Sequence, residues 1–332
     1  MIFQNIDFHN VEEIEESEKG YILWRVPAYV RKNINEIAAK TASRLSSGIE
    51  LRFKMRGDSA TIILQADEIE EASVAYLYFG SFQGGWQLSS KMIGTKDTRI
   101  TIRKPEKLEV LQQITEERHL PFSPEVVRIV LPYTHCCFKG VEGEIEPPAK
   151  SDVPNRTYLA YGSSITHGSL ALSQPYTYPF RIAQILHCDY LNLGFAGTAQ
   201  MERAMAEYLV SRKDWDFASV EMGINMVSDS FSEELFEERI KGFIQVMAKD
   251  PRPVFATSLF GFTDPKNQEK AARLRKIVET HAAKQLIYTD GLALLNRSDF
   301  ISQDLVHPSL EGMDSIVQNW CSVMQKNLAG EK

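Results

Sequence analysis

The sequence predicts an α/β protein: a three-layer α/β/α unit on a parallel sheet over residues 157–332, preceded by a smaller N-terminal β-sandwich over 1–145, with a linker at 146–156. Three observations lead there. Beyond Thr157, five short apolar runs alternate with amphipathic stretches; right-handed crossovers close such βα units into a parallel sheet covered on both faces. Before residue 132, short runs with a period of two follow one another across polar or glycine-bearing turns, the pattern of a sandwich. Between residues 138 and 157, Gly, Glu, Pro and Lys replace the apolar residues, including Pro147, Pro148 and Pro154, so a stiff connector is expected.

Taken in order, residues 1–48 are the least patterned. Glu12, Glu13, Glu15, Glu16 and Glu18 read as a solvated face, and 21–27 as a strand ended by Pro27. Residues 35–45 read as a helix with Ile37, Ala38, Ala42 and Leu45 on one side, stopping before Gly48. From there Leu51, Phe53 and Met55 alternate with Glu50, Arg52 and Lys54, and Gly57-Asp58 turns the chain into 60–64, a hairpin signature. Further strands are expected at 72–79, 86–89, 98–102, 108–114 and 126–131. Trp86, beside Gly84-Gly85, is expected in the sandwich core rather than on a sugar-stacking surface. His135-Cys136-Cys137 closes the series and reads as packing, because adjacent residues cannot converge on a metal from separate turns. In the second half, strands are expected at 158–161, 190–193, 217–222, 254–259 and 286–289. The helices between and after them fall at 180–186, 201–212, 233–247, 269–281 and 312–324.

Composition narrows the function. With 332 residues, 43% of them hydrophobic, the chain can bury a substantial core. Its 37 basic and 44 acidic residues give a net charge of -7 without a basic stripe, which argues against nucleic acid as a partner. The N-terminus lacks a positive n-region and an apolar h-region, and no stretch approaches the about 20 apolar residues of a spanning helix, so no membrane partner and a cytoplasmic location are expected. Cys136, Cys137, Cys188 and Cys321 have no CxxC spacing and read as buried free thiols. The sequons at Asn155-Arg156-Thr157 and Asn296-Arg297-Ser298 carry no weight without a secretion signal. Neither GxGxxG, a P-loop lysine nor HExxH is present, and no cofactor or metal is expected.

The chemistry concentrates at Tyr161-Gly162-Ser163-Ser164, where a buried strand breaks at a glycine and leaves Ser164 exposed on a sharp turn. A serine is a weak nucleophile and needs a base and oxyanion donors. Asp304-Leu305-Val306-His307 offers His307 to take the Ser164 proton and Asp304 to fix the imidazole tautomer. Segments 192–197 and 223–225 each end a strand in a glycine-containing turn and can supply donors. Taken alone, Ser164 also fits a helix cap and Asp304 an N-cap; their order along the chain favours chemistry. His167 is the rival base, but it sits too close along the turn to be well directed toward the hydroxyl. Thr166, His167 and Tyr178 are candidates for lining the acyl or alcohol pocket.

Together these segments resemble the SGNH hydrolases, also called GDSL-type esterases and lipases. Gly162-Ser163-Ser164 matches the nucleophile block, Gly197 the glycine block, Gly223-Ile224-Asn225 the Gly-x-Asn block, and Asp304 with His307 the Asp-x-x-His block. The resemblance implies that Ser164 is the nucleophile. It also implies that the backbone N–H groups of Ser164 and Gly197 and the Asn225 amide form the oxyanion hole. Two positions depart from the pattern: Ser163 stands where the family has Asp, and Met226 follows Asn225 where Asp is common. An N-terminal jelly-roll-like domain occurs in several subfamilies, the family-two carbohydrate esterases among them. The resemblance thus implies an ester hydrolase that removes a short acyl group, with acetyl on a carbohydrate-like alcohol the best match. Acyl transfer on the same residues, or a non-catalytic glycan-binding protein, are the alternatives.

Overall fold

The computed structural model describes residues 1–68, 73–86 and 88–329. Among these, strands form three sheets. The first is antiparallel, in the order Ile2–Phe3, Ile6–His9, Glu50–Met55, Val126–Val130, Val74–Phe79, Phe82–Gln83; Ile145–Glu146 and Ser90–Met92 add to it. The second, also antiparallel, runs Thr98–Arg103, Ser59–Ala66, Cys136–Glu142, Gly20–Trp24, Glu13–Ser17. They pack face to face through Phe8, Leu51, Phe53, Ile62, Leu64 and Phe138.

Several expectations change in this half. Residues 50–55 and 59–66 are not a hairpin: the turn at Gly57-Asp58 carries the chain from one sheet to the other, and each strand pairs elsewhere. Residues 108–114 belong to a helix, Leu108–Arg118, with Val110 and Ile114 exposed on its outer side. The acidic run at 13–17 is an edge strand. Pairing continues into the stretch whose composition shifts, as Cys136–Glu142 and Ile145–Glu146. Trp86 is fully exposed rather than in the core. Ala72 and Gln87, the remaining parts of the strands expected at 72–79 and 86–89, lie outside the described residues.

The third sheet is parallel, with spatial order Asp189–Gly194, Thr157–Gly162, Phe217–Glu221, Val254–Thr257, Ile287–Thr289. Side-chain alternation gives it two apolar faces. Tyr158 and Ala160 point to the helices Tyr178–Leu186 and Leu310–Leu328, while Leu159 and Tyr161 point to Arg203–Ser211, Glu233–Met247 and Gln268–Ala282. The three layers and the preceding β domain match the expected class. The chain runs from the central first strand to one side and then to the other, so a topological switch point lies at the carboxyl end of Thr157–Gly162.

The same period of two explains how the halves meet. Leu51 and Phe53 enter the sandwich core, so Glu50 and Arg52 face the other way, and burial there is complete: both are at most 1% exposed. Arg52 makes a bidentate ion pair with Asp189, at 2.6 and 2.7 Å, and donates to Glu50 at 2.8 Å. Arg128 closes the other side of Glu50 at 2.7 and 2.8 Å. A second joint forms at Asn192, whose carbonyl accepts from Arg25 at 3.0 Å and from Asn10 at 2.9 Å. Among the described residues, no helix is long and apolar enough to cross a membrane.

Candidate active site

Ser164 is the first residue of the short helix Ser164–His167, which starts where the central strand ends. The turn is possible because Gly162 has no side chain: a Cβ there would lie 2.2 Å from Thr166 Oγ1 and 2.6 Å from Glu221 Oε2. Ser163, in place of the family's Asp, caps the helix by accepting from the Ile165 amide at 3.1 Å. The Ser163 amide in turn donates to Glu221 Oε2 at 2.7 Å.

The two motifs 143 residues apart meet. Ser164 Oγ lies 2.8 Å from His307 Nε2, and His307 Nδ1 lies 2.5 Å from Asp304 Oδ2. This partner assigns the Nδ1–H tautomer and leaves Nε2 as the acceptor for the serine proton. Asp304 Oδ1 also accepts from the Val306 and His307 amides, each at 2.9 Å, and from Ser302 Oγ at 2.6 Å. Partial burial pushes the Asp304 carboxyl up, but these bonds outweigh it and hold the group well below the usual carboxylate range. The loop that carries the pair is pinned at both ends. Ser302 N donates to His307 O at 2.8 Å, and Leu305, with φ of 66°, offers its carbonyl to Thr263 N and Asp264 N.

Gly197 and Asn225 follow the second and third parallel strands and line one cavity of about 420 Å³ together with Ser164 and His307. Gly197 has φ of 68°, while a Cβ there would meet open space, so conformation rather than room calls for glycine. Asn225 Oδ1 accepts from the Ala199 amide at 3.0 Å, which leaves its NH₂ group as the donor for the cavity. Ile224, Val227, Phe262 and Val306 make the rest of the wall largely apolar, with Asp264 and Asn267 at its edge. A test follows: Asn225→Asp keeps an acceptor for Ala199 but loses the amide donors. It should cost roughly a hundredfold or more in turnover, as should Asn225→Ala. Rates near wild type in both variants would remove Asn225 from the site.

Thr166, His167 and Tyr178, expected at the pocket wall, are instead fully buried behind the turn. Thr166 Oγ1 meets Tyr178 Oη at 2.6 Å and donates to Glu221 Oε2 at 3.1 Å, so both hydroxyls are used in the interior. His167 Nδ1 accepts from the Ala196 amide at 3.2 Å, and burial holds the ring neutral, well below the usual histidine range. That bond orients the segment leading into Gly197 and removes His167 as a rival base. Glu221 was not anticipated. It is fully buried under the nucleophile turn, its Oε1 has no hydrogen-bond partner among the described residues, and burial raises its carboxyl above the usual range against the bonds from Ser163 and Thr166. A glutamate ending the fully buried strand Phe217–Glu221 was the available signal. Ser169, Phe262, Asp264 and Asn267 carry no such signal, since they come from loops brought together only by the fold.

A parallel α/β/α sheet with a serine, histidine and aspartate at its switch point defines a class, that of serine-type acyl-handling α/β enzymes. Residues 160–314 match the model of the GDSL-like lipase/acylhydrolase family, a match that supports an SGNH-type carboxylic ester hydrolase fold preceded by an extra N-terminal β domain. Among solved structures, the chain is similar to the salicylyl-acyltransferase SsfX3 from a tetracycline biosynthetic pathway, at 15% identity and TM-score 0.73, covering 98% of this chain and 95% of that one. It is also similar to a GDSL-like lipase from Bacteroides ovatus, at 16% identity and TM-score 0.69, covering 98% of each chain. A third likeness is to a family two carbohydrate esterase from Cellvibrio japonicus, at 10% identity and TM-score 0.62, covering 99% of this chain and 97% of that one. No curated protein matches the sequence. The family match supports ester hydrolysis as the class of chemistry.

Proposed function

We propose that the protein is a serine esterase that removes short acyl groups, acetyl foremost, from a carbohydrate-like alcohol. One observation carries the reading: Ser164, His307 and Asp304 form an unbroken hydrogen-bonded chain, at 2.8 and 2.5 Å, opening on the cavity that Gly197 and Asn225 also line. Ser164 Oγ attacks the ester carbonyl as His307 Nε2 takes its proton, and Asp304 stabilises the imidazolium. The oxyanion is held by the Ser164 and Gly197 amides and the Asn225 side chain. His307 then protonates the departing alcohol, and water clears the acyl-enzyme through the same base. The acyl group rests on Ile224, Val227 and Phe262.

Acyl transfer to an alcohol acceptor is the second reading, supported by the largely apolar wall around His307 and by the likeness to an acyltransferase. An arylphosphonate ester probe tests the nucleophile directly: a phosphonyl adduct is expected on the peptide containing Ser164, together with release of p-nitrophenol from the acetyl ester. An unlabelled protein that also releases no p-nitrophenol would sink the esterase reading. Added glycerol or methyl glucoside that diverts most acetyl into new ester, in excess water, would select transfer instead.

A further inference from the structure

A second cavity, of about 780 Å³, adjoins the cleft, and the two share Ser169. Its walls come from both halves of the chain. Tyr76 and Tyr133, both half-buried, face it from the N-terminal domain, and Tyr133 Oη meets Ser169 Oγ at 2.8 Å. Leu170 and Leu172 face it from the segment that follows the nucleophile turn. These leucines have φ of 59° and 62° and are 52% and 74% exposed. Left-handed backbone that holds two leucines outward beside a reaction centre is not packing a core; strain of this kind collects where ligands bind.

We propose that this groove holds the alcohol half of the ester, and that the alcohol bears a flat ring carrying hydroxyl groups. The assignment deepens the esterase reading and rests on it. The acyl oxygen must reach Gly197 and Asn225, which line the smaller cavity and not the groove. The leaving oxygen must reach His307 Nε2: the ester C–O bond breaks as the acyl carbon stays on Ser164 Oγ, and the Nε2 proton goes to the alcohol. Residues on both sides of His307, Ser302 before it and Ser309 and Glu311 after it, line the groove. The alcohol therefore departs into it. Tyr76 and Tyr133 place aromatic rings on the wall, while Ser309 Oγ donates to Glu311 at 2.7 Å, placing a carboxylate there too. Such a wall accepts hydroxyls and repels anionic alcohols.

The test compares ethyl acetate with 2-naphthyl acetate and a monoacetylated methyl glucoside in wild type, Tyr76→Ala and Leu172→Ser, the last on a largely exposed side chain. Relative to its change for ethyl acetate, KM for the ring ester that belongs in the groove is expected to rise about tenfold in each variant. Which ring ester responds separates an aromatic alcohol from a sugar. Equal changes for all three esters would overturn the assignment. So would variants that instead alter the preference between ethyl butyrate and ethyl octanoate, because the groove would then hold the acyl half. Calorimetric binding of the ring esters to Ser164→Ala, with and without Tyr76→Ala, decides the groove independently of turnover: about tenfold weaker binding of either supports it. Unchanged binding of both rejects it, and a wild type inactive on every ester would fail the esterase reading alone.

Discussion

Ser164→Ala is expected to lower kcat/KM for p-nitrophenyl acetate by about 10⁴-fold or more while leaving the melting temperature close to wild type. The size follows from what the substitution removes. Without Oγ there is no acyl-enzyme, and water must attack unaided while the oxyanion donors still act on the carbonyl. Ser164 is 8% exposed, and among the described residues its side chain bonds to His307 alone, so its loss deletes one contact lining the cleft. His307→Ala should fall into the same range, and the two losses should not add, because the groups act as one unit. Asp304→Asn should cost less, on the order of 10²–10⁴, since the His307 amide contact and the pinned loop still hold the ring. Because the Asp304 carboxyl stays ionised well into the acid range, loss of activity on acidification is not its titration. Steady-state kinetics with thermal melts decide the matter: residual activity in Ser164→Ala within about tenfold of wild type would dismiss it as the nucleophile.

The α/β half was legible because its information sits at strand ends. Each expected strand ends near a glycine that the turn requires, so Ser164, Gly197 and Asn225 could be placed on one rim from order alone. The β half misled for a physical reason. Alternation of Leu51 and Phe53 with Glu50 and Arg52 correctly gives a strand, but a period of two does not say which strand it pairs with, nor that the polar face is dry. Residues 108–114 offer apolar positions at 108, 111 and 114 that suit a helix as well as a strand, and no core contact resolves the choice. Pocket walls drawn from several loops, such as Phe262 and Ser169, have no local pattern to read. Thr166 and Tyr178 face the interior for different reasons: the short helix Ser164–His167 turns Thr166 inward to Glu221, and Tyr178, at the start of the next helix, meets Thr166 there rather than the cleft.

Arg52→Ala is expected to destabilise the folded chain by about 3–5 kcal/mol, the cost of leaving the buried Asp189 carboxylate without its guanidinium while Glu50 keeps Arg128. Its guanidinium spans Glu50 and Asp189, and at 1% exposure no solvent replaces it. Arg52→Met should be nearly as harmful, because methionine restores volume but not charge. Adding Asp189→Asn should recover part of the loss, and a double-mutant cycle measures that coupling. The pH dependence has a definite sign. Burial pushes the Glu50 carboxyl up, yet Arg128 and Arg52 pull it down to about 2, and Arg52 holds Asp189 lower than usual too. Both carboxyls are depressed in the folded state, so their stabilisation is present above their unfolded values of 4.5 and 3.8 and is lost as pH falls through the folded ones. Urea midpoints should therefore decline between about pH 4.5 and 2 in wild type, and this decline should flatten in Arg52→Ala. Activity should fall together with stability. The interface tied by Arg52 also sets Ser47 against the His167 carbonyl and 2.6 Å from Gln174 Oε1, and Tyr133 against Ser169, so loops of the N-terminal half brace the segment that follows Ser164. An Arg52→Ala protein with wild-type urea midpoints at neutral pH would mean that solvent or a neighbouring cation compensates the pair, and that this brace does not depend on it.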